Sequence, residues 1–198
     1  MLLFIVRVMT MADLFYVIGA SGSGKDSLID YARTNMPDNN QVVFTHRYIT
    51  RSANAGGENH IALAEKEFLL RQAMGCFAMH WYSHNTYYGI GIEIHQWLAK
   101  GLNVVVNGSR EYLDRAGQKY HELRPILVNV QTEILRNRLE TRGRENSEQI
   151  EHRLEQAYRL EKTVSHPALV KIENNGELKD AGEQLVHTIQ DWKNERCA

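Results

Sequence analysis

The chain has 198 residues, 43% of them hydrophobic and 24% charged, which is enough for one domain with a substantial apolar core. Its 23 basic and 24 acidic residues leave a net charge of -1, so the overall balance gives no sign of a nucleic-acid or membrane surface. Two cysteines, Cys76 and Cys197, are too few for a disulfide framework and, without a clear export signal, point to the cytoplasm.

Residues Met1 to Thr10 are apolar but interrupted by Arg7; they lack a basic leader region and a small-residue cleavage site, and they are too short to span a membrane. Met9 and Met11 offer alternative starts, so 1–10 reads as an N-terminal extension. Leu14 to Ile18 then forms a strand, Gly19 to Ser27 a glycine loop, and 26–35 a helix that ends before Pro37. Gln41 to Thr45 reads as a strand, Thr50 to His60 as a loop containing Gly56-Gly57, 64–74 as a short helix and Phe77 to Tyr82 as a strand. Gly91 to Lys100 has a helix-compatible pattern closed by Gly101. A buried strand at 103–106, a helix near 109–121, a strand from Ile126 to Val130 and a helix from Thr132 to Thr141 follow. Arg142 to Ser147, with Gly143, is a candidate hinged flap before a helix at 147–162, and Leu169 to Ile172 and Leu178 to Trp192 supply a last strand and helix. The apolar, β-branched strands lack alternation, which predicts a mainly parallel sheet covered on both faces in a three-layer α/β fold. No linker or repeat divides the chain, so 1–198 reads as a single domain.

The chemistry concentrates in Gly19, Ala20, Ser21, Gly22, Ser23, Gly24, Lys25, Asp26 and Ser27, between the first strand and the first helix. Glycines let several backbone N–H groups turn inward, and the helix adds the positive end of its dipole, making a phosphate nest. The spacing follows the P-loop pattern G-x-x-x-x-G-K-[ST], with Lys25 placed to reach the β- and γ-phosphates of ATP. Asp26 stands where that pattern has a magnesium-binding hydroxyl. A carboxylate roughly 4 Å from a phosphate charge would cost about 4 kcal/mol at an effective dielectric of about 20, so Asp26 must turn away or share a Mg²⁺ ion with the phosphate. The bridge is the favoured reading. His80 and His84 lack the helical His-Glu-x-x-His context, and no zinc site is expected. Trp81, Trp97 and Tyr87-Tyr88 read as core aromatics, Tyr88 excepted.

With Ile49-Thr50-Arg51, Gly57-Glu58, His84-Asn85-Thr86-Tyr87-Tyr88-Gly89 and the arginine run from Arg138 through Arg142 and Arg144 to Arg153 in order behind the loop, the chain resembles the guanylate kinase family. The resemblance implies that Arg51 and Tyr88 hold the acceptor's phosphate, that about 45–90 is an acceptor-binding region, and that about 138–153 is an arginine-bearing lid. The family's second phosphate-binding arginine is missing, His60 sits near an expected tyrosine, and Tyr82 and Asn107 replace the carboxylates that read guanine. A site built on those hydrogen bonds would reject GMP without them. Within the family, Gly24-Lys25-Asp26-Ser27, Arg47 to Arg51 and Val106 to Arg110 resemble the ribose 1,5-bisphosphate phosphokinases of phosphonate breakdown, whose pattern includes Asp at position 26. The resemblance implies ATP-dependent phosphorylation of the 1-phosphate of ribose 1,5-bisphosphate, giving 5-phosphoribosyl 1-diphosphate and ADP.

An ionised acceptor phosphate needs positioning and charge neutralisation more than a general base. Lys25 is expected to hold the transferring group, with Arg138, Arg142, Arg144 or Arg153 closing over it; Arg142 and Arg144 beside Gly143 favour this over a merely solvated helix face. Arg47, Arg51 and Arg110 are the candidates for the two ends of a bisphosphate, although for Arg47 and Arg110 a surface salt bridge fits equally. The alternatives are a nucleoside monophosphate kinase of guanylate type and a non-catalytic guanylate-kinase-like interaction module. Intact glycines and Lys25 argue against the second. The sequence leaves open whether the protein is a monomer or a homodimer.

Overall fold

The computed structural model describes residues 12–37, 41–52, 60–143 and 145–192. Residues 1–10, Gly56-Gly57, Glu58, Arg144 and Cys197, all named above, lie outside the described residues. In chain order the first elements are β1 (Leu14–Gly19), α1 (Lys25–Asn35), β2 (Val42–Phe44), β3 (Arg47–Ile49), β4 (Ile61–Ala62), α2 (Glu65–Ala73), β5 (Phe77–Ser83) and β6 (Thr86–Gly91). They are followed by α3 (Ile94–Ala99), β7 (Asn103–Asn107), a 3-10 turn (Arg110–Tyr112), α4 (Leu113–Lys119), β8 (Leu123–Asn129), α5 (Thr132–Arg142), α6 (Ser147–Thr163), β9 (Val170–Glu173) and α7 (Leu178–Asp191).

Five strands, in the order β2-β7-β1-β8-β9, form an all-parallel sheet with β1 at its centre. Successive side chains of a strand point to opposite faces. Leu14, Tyr16 and Ile18 accordingly enter one core, with Val104, Val106, Leu123 and Leu127, while Phe15 and Val17 enter the other, with Leu28, Ile172 and Leu185. Burial on both faces explains the unbroken apolar run of β1. Each such side chain contributes about 1.5–3 kcal/mol by leaving water. A third cluster, Val130, Leu135, Leu139, Ile150 and Leu154, fixes α6 against α5.

Strand β8 begins at Leu123, earlier than the expected Ile126, because Pro125 is tolerated there. Pairing with β9 starts only at Ile126, so the missing N–H of Pro125 leaves no gap in that ladder.

The larger departure lies between 45 and 91. The sequence predicts one strand there, β5; the structure has a four-stranded sheet, β4-β3-β6-β5. Strands β5 and β6 form an antiparallel hairpin through His84 and Asn85, whose φ values of 50° and 57° make the tight turn. One face of this sheet packs on α2, where Phe68 stacks on Phe77 at 4.5 Å and lies 5.3 Å from Tyr87. The other face continues the core through Met79 and Ile90 and then opens into a cleft. No helix of the described residues is long and apolar enough to cross a membrane.

Candidate active site

The carboxyl ends of β1, β7 and β9 converge on one cleft of about 660 Å³, as is usual where ligands bind parallel α/β sheets. Every residue from Gly19 to Ser27 lines it except Ser23, which is fully buried beneath the loop. Gly24 caps α1 at a φ of 89°, and a Cβ there would lie 2.4 Å from Asn174 Nδ2. Only glycine combines that dihedral with that approach. No side chain caps α1, so its first N–H groups face the cleft. The ammonium of Lys25 donates to the carbonyls of Gly19 at 2.9 Å and Ala20 at 3.2 Å, which holds it over the loop.

A second layer supports the loop from behind. Buried Asn174, just after β9, donates through Nδ2 to the Ser23 carbonyl at 2.7 Å, and Arg138 of α5 donates to the Asn174 carbonyl at 2.9 Å. Arg153 of α6 reaches Ser21 Oγ at 2.5 Å. It also pairs with Glu145 at 3.1 Å, which Arg142 meets at 2.5 Å. The Glu145 side chain is only 6% exposed, so Arg142 and Arg153 share one buried carboxylate beside the loop. Asn174 and Glu145 are missed from the sequence: the partners of Asn174, Ser23 and Arg138, lie 151 and 36 positions away, and Glu145 is one carboxylate in a charged segment with no pattern to mark it.

Asp26 neither turns away nor stands alone. Its Oδ1 accepts from Asn107 Nδ2 at 2.5 Å and lies 3.9 Å from the Arg47 guanidinium. Asn107, compared above with a base-reading residue, thus contacts the phosphate-loop helix. Arg47 neutralises the carboxylate that the sequence left facing phosphate, at least in part.

The donor set also fits a magnesium ion. Asn107 Oδ1 is buried and makes no hydrogen bond among the described residues, its Nδ2 meets Asp26, and Asp26 supplies one carboxylate at the mouth of the phosphate nest. Magnesium is commonly held by one or two carboxylates together with substrate phosphates and water. No group of three His, Cys, Asp or Glu side chains that could hold a metal by themselves occurs among the described residues.

The cleft is further walled by Arg47 of β3 and Arg51 just after it, by Trp81, Ser83 and Tyr88 from the hairpin, and by Arg110 from the turn after β7. Tyr16 orders that turn: its hydroxyl accepts from Ser109 N at 3.0 Å and donates to Ser109 O at 2.9 Å, and burial raises its pKa. Arg110 donates to the Gln156 carbonyl at 3.1 Å, and burial lowers the pKa of its guanidinium while Glu111 opposes the shift. A partly desolvated cation interacts more strongly with an incoming anion.

Two positions weighed in the sequence lie elsewhere. Tyr82 does not line the cleft; it is 55% exposed and packs on Tyr87, with ring centroids 4.6 Å apart. A bulge between Phe77 and Met79 shifts the alternation of β5, so Trp81 and Ser83 take the inward positions. His60 is buried with its Nε2 3.2 Å from the Arg51 carbonyl, so it contacts the backbone that carries Arg51 rather than the cleft.

A five-stranded parallel sheet, a glycine phosphate loop and an arginine-bearing helix pair over one cleft define a P-loop phosphotransferase of the guanylate kinase fold. The AAA domain family matches residues 16–159. Guanylate kinase from Anaplasma phagocytophilum superposes with a TM-score of 0.69 over 92% of this chain and 86% of that one, at 14% identity, a likeness of fold alone. Among curated proteins, ribose 1,5-bisphosphate phosphokinase PhnN of Thiobacillus denitrificans is 54% identical over 185 residues, 92% of this chain and 95% of that protein. Its namesake from Yersinia pestis is 48% identical over 180 residues, 90% and 92% of the respective chains. The chain belongs to the ribose 1,5-bisphosphate phosphokinase family and is a kinase.

Proposed function

We propose that the protein transfers the γ-phosphoryl group of ATP to the 1-phosphate of ribose 1,5-bisphosphate, giving 5-phosphoribosyl 1-diphosphate and ADP. The observation that carries this reading is the set of guanidinium groups that wall one cleft together: Arg47 of β3, Arg51 just after it, and Arg110 of the turn after β7. An acceptor with a phosphate at each end matches such a set, since guanidinium forks suit phosphate oxygens. An oxygen of the 1-phosphate bonds to the γ-phosphorus as the bond to the β,γ-bridging oxygen breaks, and no proton need be removed from an ionised acceptor.

On this reading the loop amides and Lys25 hold the β- and γ-phosphates, and Arg51 and Tyr88 hold one acceptor phosphate. Arg110 and Arg47 take the other end, with Arg47 also neutralising Asp26. Arg138, Arg142 and Arg153 stabilise the charge on the transferring group, with residues from about 138 to 153 as the lid and from about 45 to 90 as the acceptor-binding part of one domain. Arg144, outside the described residues, belongs to the same proposed set. Magnesium, held by Asp26 and phosphate oxygens, would supply additional neutralisation of the β- and γ-phosphates. A free, exposed thiol at Cys76 agrees with a cytoplasmic enzyme, and the family resemblance implies a role in phosphonate breakdown.

The test is a phosphoryl-transfer assay with ATP and Mg²⁺, offering ribose 1,5-bisphosphate, GMP and the other nucleoside monophosphates, with products identified by mass. Selective formation of the ribosyl diphosphate is expected. Preferential turnover of GMP would overturn the reading in favour of a nucleoside monophosphate kinase.

A further inference from the structure

The acceptor half contains a large aromatic side chain that the reaction as derived does not use. Trp81 of β5 sits directly opposite Tyr88 of β6, their ring planes within 6° of parallel and their centroids 5.6 Å apart. Because β6 lies between β3 and β5, Arg47 reaches Tyr88 from the opposite side, its guanidinium carbon 5.1 Å from the ring centroid. The indole also rests against Tyr112, at 5.9 Å, and packs on the core cluster containing Ala78 and Met79. It is therefore a wedged side chain rather than an open stacking platform. One row deeper on the same face are Met79 and Ile90, paired across the hairpin and both fully buried.

We infer that Trp81 is a specificity-determining residue that keeps nucleobases out of the acceptor half. A base seeking the flat ring of Tyr88 meets the indole already stacked there, and the packing of the indole against Tyr112 and the core keeps it from swinging aside. Two bulky ring systems cannot occupy one close-packed space. A furanose with a phosphate at each end needs only the shallower, cation-lined space in front. The inference rests on reading the acceptor as a phosphosugar, and it identifies what discriminates against nucleotides beyond the loss of base-reading carboxylates.

The test compares wild type with Trp81→Ala, Trp81→Leu and Trp81→Phe. Nucleoside monophosphate binding is measured by calorimetry with a non-hydrolysable ATP analogue present, and turnover is measured with each acceptor. The expected result is that Trp81→Ala and Trp81→Leu bind at least one purine monophosphate ten-fold or more tighter than wild type, and that Trp81→Phe remains close to wild type. Unchanged affinity for the ATP analogue identifies folded variants, and Trp81→Leu retains bulk against collapse if the alanine variant does not fold. Unchanged monophosphate affinity in a folded alanine or leucine variant would overturn the inference. If wild type instead failed to phosphorylate ribose 1,5-bisphosphate, the proposed reaction would fall, while the calorimetric comparison would still decide whether Trp81 excludes bases.

Discussion

The two halves of the cleft are built by different means. The proposed donor half is largely backbone: a loop of consecutive residues between β1 and α1, braced by Asn174 and Arg138 and set on strands buried on both faces. The proposed acceptor half is side chains from β3, the β5-β6 hairpin and the turn after β7, brought together by pairing distant segments. Phosphate binding by a contiguous loop tolerates change elsewhere in the chain, whereas acceptor choice depends on which side of a short strand a residue faces. Lesions in the first half should therefore strike every acceptor equally, and lesions in the second should separate one acceptor from another.

The largest expected effect is on the donor side. Lys25→Ala removes the ammonium proposed to hold the transferring group, and kcat should fall about 10²–10³-fold. Steady-state kinetics with saturating acceptor would check this; a loss smaller than ten-fold would mean that the loop amides and arginines suffice. On the acceptor side, Arg51→Ala should raise the acceptor KM by about 10–100-fold, the range for a charge-assisted hydrogen bond of about 1.5–3 kcal/mol. The KM for ATP should stay unchanged. If acceptor KM and kcat were both unaffected, Arg51 would have no part in holding the phosphate.

A smaller effect, on stability, sharpens the point about backbone. Gly24→Ala forces a side chain into a φ of 89° and towards Asn174. The dihedral alone costs about 1–3 kcal/mol. For a chain of this size that lowers Tm by roughly 2–12 °C, read by thermal unfolding. An unchanged Tm would show that the loop can relax, making its shape less fixed than the Asn174 brace implies.

The same contrast explains what could be read from sequence. Strand β1, the glycine loop and α1 are adjacent in the chain, and their apolar run, glycines and lysine follow one local pattern, so the fold is legible there and the loop residues expected together do meet at one cleft. Strands β3 and β4 have three and two residues, too few for a period, and exist through pairing with each other and with β6. In β6, Gly89 and Gly91 weaken the local strand signal, although a Cβ at Gly89 would come 2.8 Å from Phe77. Family resemblance sets Tyr82 at the base-reading position, but the cross-strand register pairs Trp81 with Tyr88 at the cleft and leaves Tyr82 outside it. Asp26 was recognisable as an anomaly, but its partners Asn107 and Arg47 lie 81 and 21 positions further along the chain.

The smallest expected effect lies between the halves, at the root of the proposed lid. Arg136 of α5 and Glu151 of α6 form an exposed two-pronged pair, with Nη2 to Oε2 at 3.0 Å. The hydrogen bond from Arg136 holds the Glu151 carboxyl below its ordinary pKa of 4.5. A carboxyl whose folded pKa is depressed contributes stability that is fully present above the unfolded value and is lost as pH falls through the folded one. Glu151→Gln should therefore lower Tm slightly at pH 7, and the difference from wild type should close as both proteins are acidified below the folded pKa. Added salt should narrow it as well, because both side chains face solvent. A Tm difference that persisted or widened on acidification would mean that Glu151 steadies α6 by packing rather than by charge. The lid root would then resemble the backbone-built donor half more than the charge-lined acceptor half.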